Sequence, residues 1–269
     1  MHPILVRFGD LTLHTYGVFV AGGFLVAVLL ARREAPRAGI DPELILDLSF
    51  YLLIAALVGS RLFYVLGNWA EFAENPIDII KFWRGGLVFY GGLVAATVVA
   101  IGIMKWHRMP VWKMADLISP LIAVGLSCGR IGCFLAGCCY GKETSLPWAV
   151  VFRNPDSLAR LNVPLHPTQL YEAANSFVLF LFLSWMEKRK TFDGQIFWLF
   201  LLLYSTTRFF IEIFRGDPRG FLFTDLLSTS QTIGVLLAIF SLFMLFYMKK
   251  RGRRERWLFW KFLSTLIPF

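Results

Sequence analysis

Apolar runs long enough to cross a lipid bilayer recur along this chain, and the polar positions fall mostly between them. A spanning helix needs roughly 20 mainly apolar residues. Seven windows approach that length, at about 16–32, 46–67, 86–106, 114–136, 168–186, 194–214 and 226–248. The fourth and sixth are the least apolar, because they hold Asp116, Arg130, Arg208 and Glu212. Such helices are expected to turn toward a bundle interior rather than toward lipid. Residues 137–167 are polar, and their Pro, Asn and short apolar run predict a small extramembrane head with a strand or two. Residues 69–85 predict a short interfacial helix, with Trp69, Phe72, Ile77, Ile80 and Phe82 in the headgroup layer and Glu71, Glu74 and Asp78 facing water. The final WLFWKFLSTLIPF is too short to span and is expected to lie on the membrane surface, where Trp257 and Trp260 suit the interface.

Composition sharpens this picture. Of 269 residues, 57% are hydrophobic and only 17% charged, against about 25% charged in soluble domains. The mean hydropathy is +0.62. The opening MHPILVRFGDLTLHT has no charged region followed by a small-residue cleavage site, so it does not read as a removable signal. A net charge of +9 raises the question of nucleic acid, but no basic stripe with interleaved aromatics occurs on a polar segment, and nucleic acid is not an expected partner. The cations instead follow the membrane rule. Arg32, Arg33, Arg37, Lys105, Arg108, Lys113, Lys188, Arg189, Lys190 and the run KKRGRRER follow the first, third, fifth and last windows. Arg7, Lys81, Arg84, Lys142, Arg153, Arg160, Arg215 and Arg219 are spread over longer segments on the other side. The N-terminus is therefore expected outside and the C-terminus inside. The fold class predicted is an all-α integral membrane protein of about seven transmembrane helices, with a small periplasmic head segment and an interfacial helix. Residues 1–269 read as one polytopic membrane domain, with 137–167 as the head and 249–269 as a basic cytoplasmic tail.

Ionisable residues inside spans are costly and each is a functional candidate. Arg61, Arg130 and Arg208 all fall toward the outer halves of their windows. Several cations at one depth imply an anionic guest or paired carboxylates, and arginine suits a lipid phosphate because its planar fork donates two hydrogen bonds at once. Glu212 lies four residues after Arg208, so a purely structural helical pair competes with a functional one there. Arg130 sits among Gly129, Gly132 and Gly137, which let backbone or substrate approach closely. Gly85, Gly86, Gly91 and Gly92 frame LVFY at the start of the third window. Close helix packing explains them on spacing alone. His166, Gln169, Tyr171 and Glu172 form a polar cluster where the fifth window begins, and Pro167 and Thr168 there also make an ordinary helix start.

All four cysteines, Cys128, Cys133, Cys138 and Cys139, lie within one short stretch. They offer no CxxC pair and no second ligand pair, so neither a redox centre nor a metal site is expected, and no cofactor is called for. A transporter reading has buried arginines in its favour but no internal repeat between the halves.

Six strings, taken in order, resemble the prolipoprotein diacylglyceryl transferase family. They are YG at 16, GSRLFYV at 59, GGLVFYGGL at 85, GRIGCFLAGCCYG at 129, HPTQLYE at 166 and YSTTRFFIEIFRGD at 204. The resemblance covers nearly the whole chain and implies transfer of the diacylglyceryl group of phosphatidylglycerol to the lipobox cysteine in a prolipoprotein signal peptide. It further implies residence in the bacterial cytoplasmic membrane, with membrane lipid as a standing partner. By motif position, Arg130 and Arg208 match the family's essential arginines, and Tyr16 and Tyr204 its functional tyrosines. Glu212 and Arg215 match polar positions of one helix, and Gly141 ends the signature glycine motif. On this basis Arg130, Arg208, Tyr90, His166 and Tyr204 are the catalytic candidates. Arg61, Gly91, Gly92 and Gln169 join Tyr16, Glu212, Arg215, Gly141 and the two arginines as substrate-binding candidates. Two departures stand out. Tyr90 occupies the position where the family often keeps a histidine, and in the signature Cys133 replaces an Asn while Ala136, Gly137 and Cys138 replace an NGE stretch, which marks a variant within the family.

Overall fold

The computed structural model describes residues 1–8, 11–81, 85–217 and 227–266, the last stretch by its backbone alone from 252 onward. Among these, seven long helices coincide with the seven windows. They are α1 (Thr15–Glu34), α2 (Pro42–Gly67), α4 (Phe89–Trp106), α5 (Val111–Ala136), α6 (Thr168–Glu187), α7 (Gln195–Glu212) and α8 (Thr229–Leu266), with a short α3 (Trp69–Glu74) after α2. Helices α1, α2, α4, α5 and α8 are long and apolar enough to cross a membrane. Helix α6 falls short with α7, where the windows singled out α5 with α7. The apolar residues around Asp116 and Arg130 outweigh those two charges, whereas α6 carries Glu172 and Glu187 together with Gln169, Asn175 and Ser176.

Two small antiparallel sheets accompany the helices, β1 (Ile4–Phe8) with β2 (Leu11–His14), and β3 (Val150–Val151) with β4 (Pro164–Leu165). The second supplies the strands expected within 137–167. The first was not foreseen, because its strands are short and lie beside the first apolar window. It docks on the head through Arg7 to Asp156 at 3.2 Å and through the Asn154 Nδ2 donor to the Met1 carbonyl at 3.1 Å.

The chain forms two compact units, one of Met1–Leu29 with Ala115–Phe269 and the other of Leu30–Met114. In the first, α5, α6 and α7 bury Ala123, Leu179, Leu183, Ile196 and Phe200 together. Polar side chains tie these helices: Ser127 Oγ donates to the Ala173 carbonyl at 2.9 Å, and Asn175 Nδ2 to Thr207 Oγ1 at 2.9 Å. Helix α1 packs on α5 where glycine permits it, since a Cβ at Gly132 would come within 2.9 Å of Phe19 Cβ. In the head, Phe152, Ala159 and Leu165 form a separate small core.

In the second unit, α2 starts at Pro42 under an Asp41 cap, whose Oδ1 accepts from Glu43 N at 3.0 Å. Helix α3 and the 3-10 turn Pro76–Ile80 occupy the expected interfacial segment. Trp69, Ile77 and Ile80 are exposed there, but Phe72 is buried against Tyr64 with ring centroids 6.0 Å apart, so it does not join the headgroup layer. Phe82 and Arg84 lie outside the described residues, as does Arg219. The tail differs as well: α8 runs unbroken through the basic residues to Leu266, so 257–266 prolong the last helix instead of forming a separate surface piece.

Asp116 shows how a charge survives inside such a bundle. It is fully buried near the start of α5, and its carboxylate accepts from the backbone N–H groups of Gly194, Ile196 and Phe197 at 2.8, 2.9 and 3.0 Å, capping α7 from a neighbouring helix. Lys190 Nζ completes the set at 3.0 Å. Removing one partner of a buried charged set leaves the others unpaired, at a cost of about 3–5 kcal/mol. Asp116→Ala is therefore expected to lower the thermal unfolding midpoint of the detergent-purified protein sharply, whereas replacing the exposed Asp47 by Ala leaves it nearly unchanged.

Candidate active site

Helices α5 and α7 run to the same end of their bundle at which α6 begins, and each brings a charged side chain there. Arg130 lies less than two turns before the end of α5, Arg208 and Glu212 lie in the last turns of α7, and Glu172 lies in the second turn of α6. The helix dipoles favour Glu172 near an N-terminus and the guanidinium groups nearer C-termini, while Glu212 at the end of α7 depends on its ion pair with Arg208. Arg215 follows α7, where Phe214 and Gly216 cross the loop that leaves α5.

Glu172 is the centre. Its Oε2 pairs with Arg130 Nε, while its Oε1 lies 2.7 Å from Arg208 Nη1 and 3.2 Å from Arg215 Nη1. Arg208 Nη1 also lies 2.7 Å from Glu212 Oε2, and Ser228 Oγ donates to Glu212 Oε1 at 3.1 Å. Glu172 Oε2, Glu212 Oε2 and Arg208 Nη1 make these contacts without the alignment of a good hydrogen bond, so charge pairing dominates. The three arginines differ in what is left over. Arg215 has 2% of its side chain exposed and gives Nε and Nη2 to the two oxygens of Asp217 at 2.9 Å each, so its fork is consumed. Arg130 and Arg208 keep 19% and 12% exposure. Among the described residues, neither Nη group of Arg130 and neither Nε nor Nη2 of Arg208 has an acceptor. Two guanidinium groups thus flank one buried carboxylate with donors to spare, which is the arrangement a phosphate needs.

The loop between α5 and β3 completes the surroundings. Gly141 N donates to the His166 carbonyl at 3.0 Å, and Gly216 N to the Tyr140 carbonyl at 3.1 Å. A Cβ at Gly141 would come within 2.6 Å of the His166 oxygen and 2.8 Å of the Phe214 oxygen, which explains a glycine where two backbones cross. Gln169 is buried, and its Nε2 donates to the Cys138 carbonyl at 2.8 Å while its Oε1 has no partner among the described residues. His166 rests in an aromatic nest, with Nδ1 3.2 Å from the Tyr171 hydroxyl and its ring 5.2 Å from that of Phe214. Tyr204 stacks on Phe200 at 5.7 Å and lies within electrostatic range of Arg130. Tyr16, at the start of α1, is 44% exposed and within range of the same guanidinium.

The structure therefore brings together Arg130, Arg208, Glu212, Arg215, Gln169, Gly141 and His166 in the first unit. Arg61, Tyr90, Gly91 and Gly92 belong to the second. There Arg61 gives its fork to backbone carbonyls, Nε to Ile79 at 2.8 Å, Nη2 to Asp78 at 2.5 Å and Nη1 to Gly85 and Gly86 at 2.8 and 3.2 Å. It shapes the segment before α4. Gly91 and Gly92 let α4 close on α2, since a Cβ at Gly91 would meet the Gly59 oxygen at 2.5 Å and one at Gly92 the Ala56 oxygen at 2.9 Å. Tyr90 beside them is 55% exposed.

A model of the prolipoprotein diacylglyceryl transferase family matches residues 3–247. The chain belongs to that family. Its similarity to individual members is spread along the same length. A phosphatidylglycerol-prolipoprotein diacylglyceryl transferase of Clostridium tetani is 36% identical over 91% of this chain and 96% of its own. The Clostridium perfringens protein named phosphatidylglycerol-prolipoprotein diacylglyceryl transferase 2 is 32% identical over 95% and 98%, and a Vibrio atlanticus transferase is 35% identical over 93% and 92%.

Sequence reasoning missed Glu172, which it took for a helix-start residue. The signal was present: Glu172 is the one acidic residue in 168–186, and buried arginines on neighbouring helices require a carboxylate. It also gave the neighbouring cysteines no shared site, for want of motif spacing. The chain reverses at Gly137, with φ of 80°, and the sulfurs of Cys133, Cys138 and Cys139 all come within 4.8 Å of one another. Hydrogen bonds from the Cys133 and Cys138 thiols, with the Arg215 guanidinium nearby, hold the Cys139 thiol below its ordinary range, and the same sharing pushes Cys138 above it.

Glu172→Gln removes the negative charge between three arginines and is expected to cost several kcal/mol, far more than Glu143→Gln in the exposed pair with Arg160. Thermal unfolding of both variants in detergent checks the order.

Proposed function

We propose that this chain transfers the diacylglyceryl group of phosphatidylglycerol to the thiol of the lipobox cysteine of a prolipoprotein, the first step of bacterial lipoprotein maturation. The reading rests on membership of the family together with one observation: guanidinium donors of Arg130 and Arg208, on either side of Glu172, that have no acceptor among the described residues.

The reaction is a displacement at the glycerol carbon that carries the phosphate. A carbon–sulfur bond forms, the carbon–oxygen bond breaks, and the electron pair leaves with the oxygen of glycerol phosphate, while the thiol proton passes to solvent or to a base. Charge on the phosphate grows as the bond breaks, so donors fixed in advance around it lower the barrier. Arg130 and Arg208 take that role. Glu172 is the positioning residue, holding both guanidinium groups in place without satisfying all their N–H groups. Tyr16, Tyr204 and Gln169, with its spare buried acceptor, suit the hydroxyl and ester groups of the lipid glycerol. A thiol has an unperturbed pKa of about 8.5 and needs only modest help near neutral pH beside two cations. Tyr90 orients the thiol or the lipid by hydrogen bonding, with His166 as the weaker alternative base. Arg61, Gly91, Gly92, Gly141 and Arg215 support this work by fixing backbone and ion pairs. The protein is a multi-pass membrane protein. We place it in the bacterial cytoplasmic membrane with its N-terminus and the arginine cluster on the periplasmic side, because Lys188, Arg189 and Lys190 follow α6 at the opposite end of that bundle.

Incubating the purified protein with phosphatidylglycerol and a lipobox peptide is expected to add the mass of one diacylglyceryl group to the peptide. No mass gain by protein that still binds lipid would overturn the assignment. Arg130→Lys and Arg208→Lys keep the charge but lose the bidentate fork, and each is expected to lose at least 90% of turnover, on the order of 1.4 kcal/mol or more, while still inserting in the membrane. Near wild-type rates in both would remove the phosphate clamp. Tyr90→Phe is expected to slow transfer and Tyr90→His to recover much of it, measured across a pH–rate profile. Full activity of Tyr90→Phe at every pH would pass the role to His166 or to the arginines alone.

A further inference from the structure

A second convergence of reactive side chains lies where α5 gives way to the head. Cys133 is in the last turn of α5, and Cys138 and Cys139 follow in the loop, with all three sulfurs within 4.8 Å of one another and all three free thiols. The loop is fixed in this shape. Gly137 turns the chain at φ 80°, and Cys139 itself adopts φ 60°, a left-handed conformation that residues with a side chain rarely accept. The Cys138 and Cys139 carbonyls are held from α6 by Gln169 Nε2 and Thr168 Oγ1, each at 2.8 Å. Cys128, on the same helix, serves packing instead, since a Cβ at Gly23 would come within 2.7 Å of its Cβ.

Two chemistries use neighbouring thiols, and a metal centre uses all three of these sulfurs where any disulfide leaves one out. A disulfide between Cys138 and Cys139 would join residues whose Cα atoms are about 3.8 Å apart, below the usual range of about 4.4–6.8 Å. A tetrahedral or trigonal metal–thiolate centre has metal–sulfur distances of about 2.3 Å, which sets its sulfurs about 4 Å apart. The observed spacing reaches that by small side-chain rotations. Cys133 is buried and the other two are half-buried, so the cluster is closed on one side and approachable from the other. Three thiolates around a dication carry one net negative charge. The Arg215 and Arg130 guanidinium groups lie within electrostatic range of Cys139, so that charge is matched.

We propose that Cys133, Cys138 and Cys139 form a binding site for a thiophilic divalent cation of the zinc class, held by three thiolates with a fourth coordination position open. Each thiol still protonated releases its proton to solvent as the cation binds. The cation ties the loop at 138–139 to the end of α5, beside the arginine cluster, and this site stands independently of the transfer reaction.

The test uses the full-length protein, purified reduced and metal-free in detergent. Titration with Co(II) is expected to give a thiolate-to-metal charge-transfer absorption saturating at one equivalent per chain and to be reversed by Zn(II). C133S and C139S are expected to weaken binding by more than roughly tenfold, and C128S to leave it unchanged. An absent band in reduced wild type, or one of equal strength in C133S/C138S/C139S, would overturn the site. A second measurement needs no variant: Zn(II) is expected to slow alkylation of Cys133, Cys138 and Cys139 by iodoacetamide more than roughly tenfold while leaving Cys128 unaffected, mapped by peptide mass spectrometry. Equal rates with and without Zn(II) would likewise overturn it.

Discussion

A carboxylate with 2% of its side chain exposed, enclosed by largely apolar helices, persists only if it is paired, and Glu172 is paired three times. Its contacts reach α5 through Arg130, α7 through Arg208 and the crossing after α7 through Arg215. Each of those cations would be equally costly alone. The cluster is thus a condition on the whole bundle: the three elements must meet at one depth and one rotation for any of the charges to be tolerated. Asp116 imposes a like condition at the opposite end of α5, where it caps α7. Between the two lies an apolar core, so polar pairing sets register at both ends and packing fills the middle.

The same constraint produces a site. Glu172 offers two oxygens to three guanidinium groups, and the shortfall is distributed unevenly. Arg215 recovers its bonds from Asp217 and is closed off, whereas Arg130 and Arg208 remain partly open, with donors unused among the described residues. An anion arriving from the membrane surface meets cations already in position, whose desolvation was met during folding. Binding and folding therefore draw on the same pairs, and replacing Glu172 disturbs both.

Much of this could be read from the sequence because lipid imposes strong rules. Apolar windows located all seven long helices, since no other structure hides so many backbone groups in hydrocarbon. Arg130, Arg208 and Glu212 stood out because charges in spans are rare. What escaped notice depended on tertiary geometry. Glu172 looked like an ordinary helix-start acid, and only the meeting of α5, α6 and α7 makes it central. The three thiols have no motif spacing, and a left-handed turn at Gly137 and Cys139 brings them together. The β1–β2 hairpin was too short to register, and sequence does not reveal that the carbonyls of Asp78, Ile79, Gly85 and Gly86 take the fork of Arg61.

The central claim is that the spare donors of Arg130 and Arg208 hold a lipid phosphate. Solid-state NMR measures this directly, through dipolar coupling between 31P of phosphatidylglycerol and 15N of arginine side chains in membranes containing the protein. Strong coupling is expected in wild type, part of it lost in Arg130→Lys, a further part in Arg208→Lys, and none lost on replacing the enclosed Arg215 by Lys in samples that remain folded. Coupling that survives unchanged in both lysine variants, or is absent from the wild type, would contradict the account.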